Sequence, residues 1–115
     1  MQKISQQDQI IQFIEERDWQ QFHTPKNLAI AIGAEAGELL ECFQWKTDEE
    51  IKSMIKENGT EKMADEIADI YIYLVSICNS MAIDLDAAVV AKLEKNRKKY
   101  PVEKSMGNSK KYTEL

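Results

Sequence analysis

Apolar residues recur at helical spacing along most of the chain, and the strict alternation of a half-buried strand is absent. Capping signals divide this pattern into five predicted helices, over about 5–17, 25–44, 47–56, 60–81 and 84–100. Each segment opens at a residue type that caps helix N-termini, and these residues are Ser5, Thr24, Thr47, Thr60 and Asp84. The pattern therefore predicts an all-α fold, a bundle of four to five helices.

The end of the fifth helix marks the predicted boundary of the folded domain. Proline disfavours helical geometry in its predecessor, so this helix stops before Pro101. We predict a single helical domain over residues 1–101, a size typical of one domain. Residues 102–115 are polar and loop-like, and we predict a C-terminal tail.

The fourth predicted helix carries apolar residues on more than one side. Ile67 and Leu74 belong to one narrow stripe, whereas Ile72 and Val75 lie on a different side. A helix with this pattern is normally buried on more than one side. We therefore expect a homo-oligomer that associates through helix faces, with a monomer as the alternative.

Composition and charge limit the possible binding partners and the cellular compartment of the protein. The chain has 15 basic and 20 acidic residues, a formal charge of −5, which argues against binding a nucleic acid polymer through a basic surface. No apolar run approaches the ~20 residues of a membrane span, and the polar start Met1–Gln6 lacks the apolar core of a signal peptide. Cys42 and Cys78 lie within apolar helical patterns, as small hydrophobes do in a reducing compartment. These features predict a cytoplasmic protein without a membrane partner.

Two pairs of carboxylates interrupt apolar helix faces. Glu35 stands at the centre of the apolar stripe of the second helix, with Glu38 one turn later at its edge. Glu66 and Asp69 have the same spacing and flank the apolar stripe of the fourth helix. A buried carboxylate without a partner is unfavourable by several kcal/mol, so such groups are paired, protonated or bound to metal.

The alternative explanation for these carboxylates is ion pairing. Glu-x-x-Glu pairs are common on solvated helix faces, and Lys62 lies four residues before Glu66, whereas Glu35 has no basic residue at helical spacing. If the two pairs instead meet, they offer only oxygen ligands, which favours Mg²⁺, or Mn²⁺, over zinc. The single histidine, His23, precedes the second helix and cannot complete the Glu-x-x-His motifs of a di-iron bundle. An anionic substrate that shares the metal, such as a nucleoside triphosphate, fits this acidity best.

The carboxylate quartet, in an all-α chain of this length, resembles the MazG-type nucleoside triphosphate pyrophosphohydrolases. Further stretches are similar to the dCTP pyrophosphatase branch of that family and cover nearly the whole chain. They are Arg17-Asp18-Trp19-x-x-Phe22-His23-x-Pro25-x-Asn27-Leu28, Gly33-x-Glu35-x-Gly37-Glu38-Leu39, Phe43-Gln44-Trp45, Asp69-x-Tyr71-Ile72-Tyr73-Leu74, Lys92-x-x-x-Asn96-Arg97-x-x-Tyr100-Pro101 and Lys111-Tyr112-Thr113-Glu114-Leu115.

The resemblance implies a Mg²⁺-dependent enzyme that converts a deoxynucleoside triphosphate, dCTP or a modified dCTP, to the monophosphate and pyrophosphate. It also implies a tetramer built as a dimer of dimers, acting in house-cleaning of the nucleotide pool. The residues that match the family's metal-binding positions are Glu35, Glu38, Glu66 and Asp69. Those that match positions holding the base and sugar run from Trp19 through Phe22 to His23, with Trp45 and Tyr73. Lys92 and Asn96 match positions near the phosphates and sugar.

Several roles follow as hypotheses from the chemistry of these residues. Glu35 or Glu38 would act as the base for the attacking water, and Trp19 and Trp45 would stack on a base or else anchor helix ends. Lys92, Asn96 and Lys99 share one face of the fifth helix. Ile10 departs from a polar nucleotide contact found in related members. The alternatives are another pyrophosphohydrolase substrate (dUTP, a damaged purine triphosphate or phosphoribosyl-ATP), or a non-catalytic helical oligomerisation module.

Overall fold

The computed structural model describes residues 4–115, so that Met1 to Lys3, part of the polar start, lie outside the described residues. In chain order the helices are α1 (Gln6–Glu16), α2 (Pro25–Phe43), α3 (Asp48–Lys56), α4 (Glu61–Ser80), α5 (Leu85–Lys99) and α6 (Val102–Ser105), followed by a 3₁₀ turn (Tyr112–Glu114). No strand occurs within residues 4–115. The predicted all-α fold is confirmed.

Side-chain caps explain why the helices begin where the sequence predicts. The hydroxyl of Ser5 accepts a hydrogen bond from the Asp8 amide at 3.1 Å, and that of Thr24 accepts one from the Asn27 amide at 3.2 Å. Thr47 and Asp84 cap α3 and α5 in the same way. Thr60 precedes α4 but its side chain accepts no capping bond, because its backbone lacks the extended geometry of the other caps. The prediction that Thr60 caps the fourth helix is therefore wrong.

Two compact units make up the chain, one ending at Ala82 and the other spanning Ile83–Leu115. In the first unit α2 packs along α4, and α1 packs against the same helix. Leu28 of α2 and Val75 of α4 are almost completely buried, and Ile14 of α1, Cys42 of α2 and Met63 of α4 extend this small core. The α2–α4 seam is the feature that positions the candidate site.

Large apolar side chains remain exposed on the helices of the first unit. Ile30 and Leu40 project from α2 into solvent, and Ile67, Leu74 and Met81 do so from α4. Met63 and Val75, which lie on different sides of α4, are both buried, so α4 is buried on more than one side, as its sequence predicts. Association through these faces stays a prediction.

The second unit is more ordered than a loop-like tail. The Tyr100 and Tyr112 rings meet edge to face, with centroids 6.1 Å apart. The Lys99 ammonium lies 4.8 Å from the Tyr112 ring centroid. The segment after Pro101 thus forms a short helix and a 3₁₀ turn that fold back on the end of α5, which corrects the expectation of a loop.

The structure also shows the state of the two cysteines and whether any helix could span a membrane. Cys42 is a buried free thiol and Cys78 a half-buried one. Across residues 4–115 no single helix has the length and hydropathy of a membrane span, although α4 and α5 taken together across their bend meet that criterion.

Candidate metal and nucleotide site

Three of the four predicted metal ligands converge at the α2–α4 seam. Glu35 and Glu38 come from α2 and Glu66 comes from α4. One carboxylate oxygen from each lies within 4.8 Å of the others. The three-residue spacing brings Glu35 and Glu38 to one face of α2, and the packing of α2 on α4 brings Glu66 opposite them.

Asp69 lies at the edge of this cluster, outside the set within 4.8 Å. It follows Glu66 by one turn of α4 and lines the same cavity as Glu35. Its negative charge contributes to raising the pKa of Glu35. The structure therefore keeps Asp69 in the neighbourhood of the cluster without placing it among the converging oxygens.

The cluster is electrostatically strained. One oxygen each of Glu35 and Glu66, Oε2 in both, is buried and accepts no hydrogen bond within the described chain. Burial, with the adjacent carboxylates of Glu66 and Glu38, raises the pKa of Glu35 from 4.5 to about 7. The pKa of Glu66 also lies above its usual range. Burial is the main cause, and the neighbouring Glu38 side chain raises this pKa further.

Among the described residues, no basic side chain forms an ion pair with the clustered carboxylates. The ion pairs within residues 4–115 join Arg17 to Glu16, Lys52 to Glu49 and Arg97 to Glu94, all on exposed helix surfaces. Lys62, the sequence candidate for pairing with Glu66, takes part in none of them. Within residues 4–115, ion pairing is thus excluded as the explanation of the cluster.

The donor set fits a hard divalent cation. It consists of carboxylate oxygens, two of them buried with unused lone pairs. Carboxylates that repel one another and lack a cation partner gain most from a divalent ion, because it favours their charged forms. Three residues from two packed helices therefore make a candidate metal centre.

A cavity of about 260 Å³ opens beside the carboxylates. Its walls are mostly aromatic and aliphatic, and two acidic residues also line it. The lining residues are Phe13, Ile14, Trp19, His23, Glu35, Asp69, Ile72 and Tyr73. The His23 ring lies between Trp19 and Tyr73, with centroid distances of 6.0 and 6.5 Å. We call this space the aromatic cavity; it suits a flat ring next to charged groups.

Two predicted aromatic contacts lie elsewhere. Phe22 is 61% exposed and Trp45 is 90% exposed, and neither lines the aromatic cavity. Trp45 follows α2 with φ of +68°, the left-handed region that residues other than glycine rarely adopt. Within the single chain these two side chains are not brought to the site.

The predicted phosphate contacts belong to the second unit. Lys92 is exposed on α5, and Asn96 is half-buried on the same helix. Lys99, which shares their predicted face, contacts the Tyr112 ring. The roles of Lys92 and Asn96 stay predictions.

Phe13 lines the aromatic cavity but is not among the predicted site residues. Its ring meets Trp19 edge to face at 5.8 Å, and the Arg17 guanidinium lies 3.7 Å from its centroid. The four-residue spacing of Phe13 and Arg17 was the available signal, because it places a cation over the ring on one helix face. The sequence interpretation assigned Phe13 only to the apolar face of the first helix.

Comparison with known proteins identifies the family. The model of the MazG-like family matches residues 30–115. The chain belongs to the MazG-like family. This confirms the resemblance seen in the sequence, and the carboxylate cluster is therefore a feature of a MazG-like chain.

Relatives of this MazG-like chain include proteins named dCTP pyrophosphatase 1. The protein from Bos taurus is 45% identical over 105 residues, and the one from Homo sapiens is 43% identical over 105 residues. Each alignment covers 90% of this chain and 62% of the relative, so the chain spans less than two thirds of these proteins. The crystal structure of a pyrophosphatase from Archaeoglobus fulgidus is 39% identical and superposes with a TM-score of 0.72, covering 88% of this chain and 98% of that one.

Proposed function

We propose that this chain hydrolyses a deoxynucleoside triphosphate to the monophosphate and pyrophosphate, with Mg²⁺ or alternatively Mn²⁺ as cofactor. The observation that carries the proposal is the convergence of Glu35, Glu38 and Glu66 beside an aromatic cavity, without an ion pair to any of them in the part of the chain that the structure describes. Relatives named dCTP pyrophosphatase 1 support dCTP or a modified dCTP as the substrate. The activity fits house-cleaning of the nucleotide pool.

Glu35, Glu38 and Glu66, with Asp69 beside them, would hold the metal. A divalent ion held there supplies charge neutralisation at the phosphates and a lower pKa for water. The proposed general base is a carboxylate oxygen of Glu35 or Glu38 that is not used as a ligand, which accepts the proton of the attacking water. Attack at the α-phosphorus yields the monophosphate and releases pyrophosphate.

The aromatic cavity is the proposed site of the base and sugar. Trp19, His23 and Tyr73 line it, and aromatic walls bind a nucleobase through stacking. Because Glu35 and Asp69 line the same cavity, a base there directs its phosphates toward the carboxylates. By the family resemblance, Phe22, Trp45, Lys92 and Asn96 complete the substrate-binding set.

We further propose a homo-oligomer, a dimer of dimers, located in the cytoplasm. The exposed apolar faces of α2 and α4 support association of several copies. Free thiols at Cys42 and Cys78 fit a reducing compartment. The net charge of −5 argues against a nucleic acid polymer as partner, and we propose no membrane partner.

The decisive experiment replaces Glu38 by glutamine and measures pyrophosphate release from dCTP with Mg²⁺. We expect turnover to be abolished while the helical circular dichroism stays unchanged. Glu41→Gln is the matched control, because Glu41 lies three residues later on α2 and outside the cluster. Full activity of Glu38→Gln would show that the site is misassigned.

A nucleotide panel separates the alternative substrates. Pyrophosphate release from dUTP, a damaged purine triphosphate or phosphoribosyl-ATP in preference to dCTP would keep the reaction and change the substrate. The non-catalytic oligomerisation module predicts that Mg²⁺ leaves the melting temperature unchanged. The enzyme predicts a rise, because a ligand bound only by the folded state stabilises that state.

A further inference from the structure

A second cavity, of about 350 Å³, lies where the segment before α2 meets the end of α4. Six of its eight lining residues have polar side chains, although apolar atoms form the larger part of its surface, and we call it the polar cavity. The polar lining residues are Gln20, His23, Thr24, Ser76, Asn79 and Ser80. The polar cavity shares Ile14 and His23 with the aromatic cavity, so the two spaces adjoin through these side chains.

Two hydroxyl groups in the lining of the polar cavity can each form one more hydrogen bond. Ser76 is only 4% exposed, and its hydroxyl donates to the Ile72 carbonyl at 2.7 Å, which leaves its oxygen free to accept. Thr24 accepts from the Asn27 amide, which leaves its own hydroxyl proton free to donate. One acceptor and one donor thus remain in the lining, contributed by Ser76 of α4 and by Thr24 at the start of α2.

The side-chain amides in the lining add further hydrogen-bond donors and acceptors. The side chains of Gln20 and Asn79 make no hydrogen bond within residues 4–115, and each offers donors and an acceptor. Nδ1 of His23 is buried and likewise has no partner in that range. The polar cavity therefore contains several hydrogen-bonding groups that are not used within residues 4–115, around a space that is partly open to solvent.

The polar cavity carries no carboxylate and no lysine or arginine among its lining residues. A phosphate group would find neither a basic side chain nor a metal-binding carboxylate there. A neutral lining with mixed donors and acceptors matches the edge of an uncharged heterocycle, which presents amino donors next to ring nitrogen and carbonyl acceptors.

We propose that the polar cavity binds the hydrogen-bonding edge of the substrate's base, with Asn79 and Ser76 as specificity-determining residues. This inference rests on the proposed nucleotide hydrolysis, since it assigns the ring to the aromatic cavity and its polar edge to the adjoining space. The Asn79 amide donates to a ring acceptor and accepts from an exocyclic amino group. The Ser76 oxygen provides a second acceptor for that amino group.

The first test compares dCTP with dUTP, which differ at this edge of the base. In Asn79→Ala the ratio of kcat/KM for the two substrates moves toward one by about tenfold, mainly through KM. Gln9→Ala is the control, because it removes an amide from an exposed position on α1 that lines neither cavity. An unchanged ratio in Asn79→Ala, or an equal loss for both substrates, overturns the proposal.

The second test does not depend on catalysis. Deoxycytidine, which has no phosphate, is titrated into the metal-free protein, and the side-chain amide signal of Asn79 is followed by NMR after assignment by its loss in Asn79→Ala. We expect this signal to shift, and Ser76→Ala to weaken binding about fivefold while circular dichroism stays unchanged. Absence of the shift overturns the assignment of the polar cavity. If the chain releases no pyrophosphate from any nucleotide, the proposed function fails, and this titration still decides whether the cavity binds a base.

Discussion

The carboxylates at the α2–α4 seam and those on the surface of α3 start from similar sequence patterns and reach opposite environments. On α3, Glu49 is exposed and lies 3.5 Å from the Lys52 ammonium. At the seam, Glu35 and Glu66 each bury an oxygen that accepts no hydrogen bond from residues 4–115, and burial raises the pKa of both. The comparison teaches that a Glu-rich helix face acquires chemical meaning only when a second helix removes water from it and brings no cation.

Removing a seam carboxylate has the largest expected effect. We expect Glu66→Gln to lower pyrophosphate release from dCTP by at least about a hundredfold, because it deletes a converging metal ligand. Chelation of divalent ions has the same effect in the unmodified protein, and added Mg²⁺ restores the rate. Steady-state assays check both results, and Glu49→Gln serves as the matched control on α3. Equal rates for the two variants would remove the distinction between seam and surface.

The second prediction concerns the pH dependence of stability without metal. The folded-state pKa of Glu35 is raised to about 7 from 4.5, so the folded state binds this proton more tightly than the unfolded state does. The stabilising contribution is therefore complete below pH 4.5 and is lost as pH rises through 7. Melting temperatures of the metal-free protein should fall across this range, and Glu35→Gln should flatten that part of the profile.

Magnesium should reverse this pH trend, because it binds the charged carboxylates. We expect Mg²⁺ to raise the melting temperature more at pH 8 than at pH 5.5. A gain that is equal at the two pH values would place the bound ion away from the strained cluster.

An intermediate effect is expected at the aromatic cavity. Trp19→Ala removes a stacking wall worth roughly 1–3 kcal/mol per base, so KM for dCTP should rise about tenfold or more while kcat changes less. Tyr112→Ala, in the second unit, is the control for loss of an aromatic ring. A KM unchanged by Trp19→Ala would leave the aromatic cavity without a role in binding.

The smallest effect is predicted for the α3 surface. The Glu49–Lys52 pair is highly exposed, so Glu49→Gln should change the free energy of unfolding by no more than about 0.5 kcal/mol. Urea denaturation measures this value. A change of several kcal/mol would show that the surface pair is not the neutral reference that the comparison assumes.

The features that could be predicted from the sequence are those that depend on residues close together in the chain. Ser5, Thr24, Thr47 and Asp84 cap their helices as expected, because a cap needs only a side-chain oxygen and an amide three residues later. Thr60 fails as a cap because its backbone angles differ, which residue type does not reveal. The carboxylate pairs were recognisable since they interrupt apolar stripes.

Nonlocal contacts account for what the sequence interpretation missed. Phe13 lines the aromatic cavity because α1 packs against α4, and Thr24 and Ser76 line the polar cavity together although about fifty positions of sequence separate them. Helical periodicity assigns such residues to a face, but it does not show which other face lies opposite. Asp69 illustrates the same point. It follows Glu66 by three residues, as Glu38 follows Glu35, and yet its oxygens lie outside the converging set.

The sequence by itself determined the helices, most of their caps, the family and the identity of the misplaced carboxylates, because each depends on residue types at short spacing. Only the tertiary structure decided which carboxylate oxygens converge, which are deprived of water and which neutral groups line the polar cavity. Desolvation and convergence depend on the packing of α2, α4 and α1 against one another, and therefore on distances between residues far apart in the chain.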